Sequence, residues 1–537
     1  MNEHFDVIII GTGAGGGTVL QRLAPTGKRI LVLERGPFLP REKENWDTKT
    51  AFNTTRYFGP EVWYDRHGGE VKAGMCYHVG GNTKLYGAAL FRLRERDFET
   101  VRHAGGISPE WPVKYRDFEP YYAEAERLFQ VHGKRGSDPT DPPRNGEYPF
   151  PAMSHEPRIQ EVVDALAAHG LCPSYTPLGI RINEAQKFLS ACIRCSTCDG
   201  YPCLVHAKSD ADISCVRPVM QRENVTLLTE TKVERLLTSP SGREVTGVVA
   251  VLDGEEVTFT ADLVVLAAGA INSAALLLRS ANDRHPQGLG NGSGLVGRNL
   301  MKHILGSIIG VSSFKRNPTK FQKTLSVFDF YWGEKDFPFP MGQIQTLGKV
   351  SKAELEGSEA MYEPLDIGFV SSHSVDWWLT SEDLPDPANR ITLDREGRIV
   401  VDYTENNTAA FDRLMARWTQ VLKSIGCGCH ILPNGKYFNA GTVTTFTTKL
   451  GINGLGHQTG TCRFGEAPST SVLDLQCKAH ELDNLYVVDG SFFVSSAAVN
   501  PTLTIIANAL RVGDHLIARL GAAAGRRAQE AAMAVAV

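Results

Sequence analysis

The chain has 537 residues, 42% of them hydrophobic and 22% charged, with a formal net charge of −4. Both signs are mixed along its length, which excludes a basic nucleic-acid footprint and a polyanionic tail. The size allows roughly two to four domain-sized units, or one large fold with insertions. No basic n-region followed by an apolar run precedes the first strand, and no apolar run of about 18 residues is free of charge. Neither a secretory signal nor a membrane-spanning helix is therefore expected, and the expected compartment is the cytoplasm. Four of the eleven cysteines crowd into "CIRCSTCDGYPC", at Cys192, Cys195, Cys198 and Cys203. In a reducing compartment this spacing points away from a disulfide framework.

The first element is the β-branched run Val7 to Ile10, the pattern of a parallel strand buried on both faces. A glycine-rich turn, a helix over 16–23 and a second strand over 29–33 complete a βαβ unit. "HVGGNTKLYGAALFRLRERDF", His78 to Phe98, reads as a second glycine turn leading into a helical pattern. "WPVKYRDFEPYYAEAERLFQVHG" reads as an amphipathic helix after a turn. Val225 to Val233 and Gly247 to Leu252 read as strands of a meander. "DLVVLAAGAINSAALLLRS" reads as a buried strand, a turn at 267–269 and a helix. Residues 305–440 alternate aromatic and polar positions with prolines, which predicts an antiparallel sheet. Another buried strand, "NLYVVDGS", and a helix over 502–520 follow, and the alanine-rich end is expected to fray. Strands of one nucleotide-binding domain thus recur at the start, middle and end, around a β-rich insertion.

"GTGAGG" sets Gly11, Gly13 and Gly16 at GxGxxG spacing between a strand and a helix. The first glycine permits the tight turn, the second lets backbone approach a pyrophosphate, and the third lets helix and strand pack closely. The N–H groups at the helix start, including that of Ala14, face the anion. Glu34 ends the next strand, where a carboxylate accepts ribose hydroxyls and repels a 2′-phosphate. A domain gripping its dinucleotide with segments far apart in sequence favours FAD over NAD.

The stretches "GTGAGGG…LVLERG", "VGGNTKLYGAALFRLRERDF", "WPVKYRDFEPYY", "VVLAAGAINSAALLLRS", "GLVGRNLMKH" and "GHQTGTCRFG…NLYVVDGSFFVSSAAVNPTLTIIANALR" together resemble the glucose–methanol–choline (GMC) flavin oxidoreductases, in the same order. The resemblance covers most of the chain outside 305–440. It implies an α/β fold with α+β insertions: a discontinuous Rossmann-like FAD-binding domain and an antiparallel-sheet substrate domain, of the p-hydroxybenzoate-hydroxylase-like kind. The FAD-binding domain is expected over 1–100, 205–304 and 450–520. Residues 101–204 and 305–449 are expected to form the substrate domain and connections, and 521–537 a flexible tail. The resemblance also implies Glu34 on the adenosine ribose and Val233 near the adenine. It puts Asp489 and Gly490 by the pyrophosphate and ribityl chain, and Pro501 and Thr502 by the isoalloxazine. Gly81, Asn82, Thr83, Tyr86, Gly87, Ala268, Gly269 and Asn500 complete the expected cofactor set. Some relatives bind flavin covalently through a histidine a few residues after the second "GG". The segment Gly80 to Tyr86 has no histidine, so non-covalent FAD is expected. His78, just before it, is expected to be a surface or packing residue.

Flavin oxidation of an alcohol requires a base for the hydroxyl proton and a second group to aim its C–H bond. Histidine suits the first task. His457 and Asn500 match the family's catalytic pair, as base and positioning group. Gln343 and Gln345 alternate on an expected strand, so both amides are expected to meet substrate hydroxyls alongside the catalytic pair. Phe328, Phe330, Tyr331 and Trp332 offer an aromatic wall, although such runs more often form core. The chain resembles pyranose oxidases and bacterial glycoside 3-oxidases more than choline- or cholesterol-type members. The expected reaction is oxidation of a secondary hydroxyl of a sugar or glycoside to a ketone, with oxygen or a quinone-like acceptor. The alternatives are an alcohol or polyol dehydrogenase feeding a respiratory partner, and a flavin-containing lyase. An iron–sulfur cluster or zinc at the four clustered cysteines is possible but a structural role is favoured, so no metal site is assigned.

Overall fold

A seven-stranded sheet built from both ends and the middle of the chain positions everything else in this computed structural model, which describes residues 3–54, 56–312, 314–356, 367–427 and 455–522. β1 (His4–Ile10), α1 (Ala14–Leu23) and β2 (Ile30–Leu33) form the opening βαβ unit. An excursion then carries α2 (Tyr115–Leu128) and the short strand β3 (Pro173–Tyr175). The chain returns with β4 (Val225–Leu228), β5 (Lys232–Thr238), β6 (Val245–Leu252), β7 (Glu255–Leu266) and α3 (Ala270–Arg279). Next come β8 (Ile304–Val311), β9 (Leu325–Val327), β10 (Gln343–Thr346), β11 (Ser374–Ser381) and α4 (Thr408–Ser424). β12 (Leu485–Val487) and α5 (Thr502–Arg519) close the described chain.

β7 does two jobs along its length. Its first half pairs antiparallel with β6, from Leu252 opposite Glu255 to Val248 opposite Phe259. Its second half is parallel to β1 on one side and β12 on the other, with Val264 opposite both Ile8 and Leu485. The parallel part therefore runs β4-β2-β1-β7-β12, and all its carboxyl ends open on one edge. Val7, Ile8, Ile9, Ile30, Leu31 and Val32 are fully buried, as the uninterrupted apolar runs require.

Two expectations fail for a local reason. The strand expected over 225–233 breaks at Glu230, whose φ of 53° is left-handed, and β4 and β5 join different neighbours. The helical pattern after His78 yields only 3-10 turns, Gly81–Lys84 and Glu95–Phe98. Gly80 (φ 99°), Gly81 (φ 56°) and Ala88 (φ 56°) turn the chain out of the right-handed path. Helix α2 lies within 101–204 yet packs on the first core: Tyr122 meets Thr504 of α5 at 2.8 Å.

The inserted sheet is antiparallel as expected, in the order β8-β11-β10-β9-β3. Helix α4 buries Phe411, Leu414, Trp418 and Val421 against it in a separate core. The rings of Trp377 and Trp418 meet edge to face, 4.8 Å between centroids. Phe328, Phe330 and Tyr331 are buried, so the aromatic run is mainly core. The alanine-rich end beyond Ala522 lies outside the described residues.

Removing the α4 ring by Trp418→Ala leaves a cavity in this second core, at an expected cost of about 3–5 kcal/mol. Denaturant unfolding should show that loss while the far-ultraviolet spectrum at low denaturant stays unchanged.

Candidate active site

One cavity of about 680 Å³ runs from the carboxyl ends of β1 and β2 to the segment holding His457 and Asn500. Residues from the start and the finish of the chain thus share one wall. At the first end, Gly11 makes the strand-to-helix turn with φ 96°, and an added Cβ would fall 2.5 Å from the Ala267 carbonyl oxygen. Gly16 packs α1 onto that turn and does not reach the cavity. Beside Gly13 an added Cβ would meet nothing within 4 Å, so the space it would fill is the cavity itself.

Glu34 is 5% exposed at the end of β2. One of its oxygens accepts from the backbone N of Thr12 at 3.0 Å and from the Thr12 hydroxyl, the other from Gly36 N at 3.1 Å. Burial pushes its carboxyl above the usual range, against these donors. Thr12 also accepts from Gly80 N at 3.0 Å, which ties the second glycine turn to the first. Ala14, Gly81, Asn82, Thr83, Tyr86 and Gly87 line the cavity next to this junction, and Val233 lines it from β5. The glycine cradle, the free space beside Gly13 and the buried acid fit a dinucleotide.

Ala268 and Gly269 line the cavity at the start of α3, and Gly490, Pro501 and Thr502 line it from the last segment. Asp489 lines it too, but its oxygens are engaged by protein. They accept from Gly269 N (3.0 Å), Ser491 N (2.9 Å) and the hydroxyls of Ser273 and Ser491. Burial again raises its carboxyl.

The arrangement of His457 follows from a chain of hydrogen bonds that begins at a backbone carbonyl. The Ser496 oxygen can only accept, so His303 Nε2, 3.1 Å away, carries its proton. Burial lowers the His303 pKa and favours the neutral ring. Its Nδ1 then offers a lone pair, and His457 Nδ1 donates to it across 3.0 Å. His457 Nε2 is left unprotonated, 3.4 Å from the Asn500 side-chain nitrogen. The Asn500 amide is turned to match. Its oxygen accepts from Gln343 Nε2 and Gln345 Nε2, both at 3.2 Å. His457 and Asn500 are half-buried, with their open sides on the cavity.

Gln345 lines the cavity, whereas Gln343 stands behind Asn500 and does not. Both amide oxygens are buried with no partner among the described residues. Burial drives the His457 pKa well below the ordinary histidine value, helped by His303, Lys323 and Lys302. His303 went unassigned in the sequence, although "GLVGRNLMKH" carries it. It is fixed in turn by Asp383, which accepts from Lys302 N at 2.8 Å and His303 N at 2.9 Å.

His78 is half-buried, 3.4 Å from Cys76 Sγ, and does not line the cavity. Cys192, Cys195, Cys198 and Cys203 are free thiols around a separate small cavity. Among the described residues no group of three or more His, Cys, Asp or Glu is arranged to hold a metal ion. Burial pushes Cys192 up to about 11 and Cys198 up to about 12. The cysteine loop is pinned by Lys208 Nζ to the carbonyls of Cys198 (2.7 Å) and Tyr201 (2.8 Å).

Family models described as GMC oxidoreductase match residues 6–305 and 385–509. The chain belongs to the GMC oxidoreductase family. This GMC oxidoreductase is 30% identical to a paromamine 6′-oxidase of Streptomyces fradiae, over 94% of this chain and 90% of that one. It is 26% identical to the fructose dehydrogenase large subunit of Gluconobacter japonicus, over 95% and 97%. A solved pyridoxine 4-oxidase from Mesorbium loti superposes with a TM-score of 0.63 at 19% identity, covering 95% of this chain and 99% of that one. GMC enzymes bind FAD, and these relatives are oxidases and dehydrogenases acting on CH–OH groups. No described helix is long and apolar enough to cross a membrane.

An imidazole held neutral in this way takes up a proton only at unusually low pH. The acid limb of kcat/KM should fall well below pH 6.5, the unperturbed histidine value. A limb at or above that pH, measured in the free enzyme, would contradict the burial of His457.

Proposed function

We propose that this enzyme holds FAD non-covalently and oxidises a secondary hydroxyl of a sugar or glycoside to a ketone. His457 is the base and Asn500 the positioning group. The observation that carries this reading is the bare Nε2 of His457 facing the cavity beside the Asn500 amide. When bound, FAD supplies the acceptor for the hydride of the alcohol carbon.

The protein's part is then specific. The substrate hydroxyl gives its proton to His457 Nε2, while Nδ1–H stays bonded to His303 and keeps the ring from turning. Asn500 donates an N–H to the same hydroxyl oxygen, and Gln343 and Gln345 stop its amide from flipping. Gln345, on the cavity wall, borders a second substrate hydroxyl. Glu34 accepts from the adenosine ribose, and the Gly11–Gly16 turn takes the pyrophosphate.

Non-covalent attachment is supported by the lining: among the described residues His457 is its one imidazole, and burial pushes the Cys76 thiol up to about 12. A secondary hydroxyl of a sugar or glycoside, oxygen or a quinone-like acceptor, the division into a discontinuous FAD-binding domain and a substrate domain, and a cytoplasmic location belong to the same reading. The relatives named for sugar-like substrates, an oxidase and a dehydrogenase, leave both acceptors in play.

Anaerobic flavin bleaching against sugars, glycosides, polyols and simple alcohols tests it. The His457→Ala protein should remain yellow and be reduced about two to four orders of magnitude more slowly. Undiminished reduction would remove His457 from the role.

A further inference from the structure

The same cavity carries a charged pair that the proposed chemistry does not bring into contact with substrate. Lys323 and Asp199 line it together with His457 and Gln345. Lys323 Nζ donates to Asp199 Oδ2 at 2.6 Å, and the two side chains are only 7% and 19% exposed. Withdrawing both charges from water is costly, and their attraction often fails to offset it. A stability role alone is thus a weak explanation.

The backbone is shaped around the pair. A Cβ on Gly87 would fall 1.7 Å from Lys323 Nζ and 2.4 Å from Asp199 Oδ1. One on Gly348 would fall 3.0 Å from Asp199 Cβ. Any side chain at position 87 would displace the charges.

The pair also has unspent hydrogen bonds. An ammonium has three donors, and among the described residues this one spends a single donor, on Asp199. Asp199 Oδ1 has no hydrogen-bond partner among the described residues. Burial works to protonate Asp199, but Lys323 foremost and Lys208 outweigh it, so the carboxylate stays charged. The neighbouring Lys349 is occupied by Ser371 O and by Ser374 O (3.0 Å) and Oγ (3.2 Å).

We propose that Lys323 and Asp199 form a second hydroxyl-binding subsite, which selects a neutral substrate bearing a vicinal diol. A hydroxyl is both donor and acceptor, so it can give its hydrogen to Asp199 Oδ1 and take one from Lys323 Nζ. A substrate ammonium would be attracted by Asp199 but repelled by Lys323, and a carboxylate the reverse, so the pair gives neither ion the net attraction that would offset its desolvation. The inference rests on the reading of His457 and Asn500 as the site of the reacting hydroxyl, and it adds what the neighbouring carbon must carry.

The test compares a vicinal cyclohexanediol with cyclohexanol, two probes with the same ring. Each is titrated anaerobically into the FAD-loaded enzyme and followed by the flavin spectrum. Where the flavin bleaches, the half-saturating concentration for reduction replaces the dissociation constant. The wild type should prefer the diol about tenfold or more, the scale of charge-assisted hydrogen bonds. The preference should fall towards one in Lys323→Met/Asp199→Leu, which removes both charges together and leaves neither buried alone. Asp199→Asn conserves shape and should lower the preference severalfold, which keeps the test available if the double variant does not fold. Equal affinity for the two probes in the wild type would overturn the subsite, as would an undiminished preference in Asp199→Asn or the double variant. A diol preference in binding without bleaching by either probe would support the subsite and count against the redox reading alone.

Discussion

The second half of β7 is the constraint on which the site depends. It is clamped in parallel between β1, from the start of the chain, and β12, from near its end. Parallel strands leave their carboxyl ends on one edge, where α/β sheets bind ligands. The Gly11 turn, the Ala267–Gly269 turn and the Asp489 turn therefore meet, although more than two hundred residues separate each from the next. Asp489 closes the junction by accepting from Gly269 N and Ser491 N. Without that register, His457 would have no fixed relation to the cradle around Gly13.

Electrostatics then sort the cavity by function. Its two buried acids near the glycine turns, Glu34 and Asp489, are held by neutral backbone and hydroxyl donors rather than by an ion pair. Such donors fix a carboxylate in place without cancelling its charge. At the other end the imidazole is desolvated and near cations, which keeps it neutral and able to accept a proton. Lys323 contributes to that effect while pairing with Asp199.

Much of this was legible in the sequence. The βαβ unit, the strand–turn–helix at 262–280 and the last helix have strong periodicity and long apolar runs, and they fold as expected. The elements that failed, at Glu230 and around Gly80 to Ala88, turn on single left-handed residues that periodicity does not register. The pair His457 and Asn500 was visible from motifs. Their partners were not, because hydrogen bonds such as His303 to His457 span 154 positions. Gln343 and Gln345 were singled out for alternation, and they do share a face. That face carries Asn500, and only Gln345 also borders the cavity. The Lys323–Asp199 pair had no sequence signal, since it exists only where Gly87 leaves space for it.

The central claim is that a carbonyl, through one imidazole, decides which nitrogen of the next is bare. Histidine-selective nitrogen NMR at neutral pH observes this directly, with the His457 signals assigned by their loss in His457→Gln. The account predicts a protonated Nδ1 and an unprotonated Nε2 on His457. A proton on Nε2, whether in the other tautomer or in an imidazolium, would contradict it.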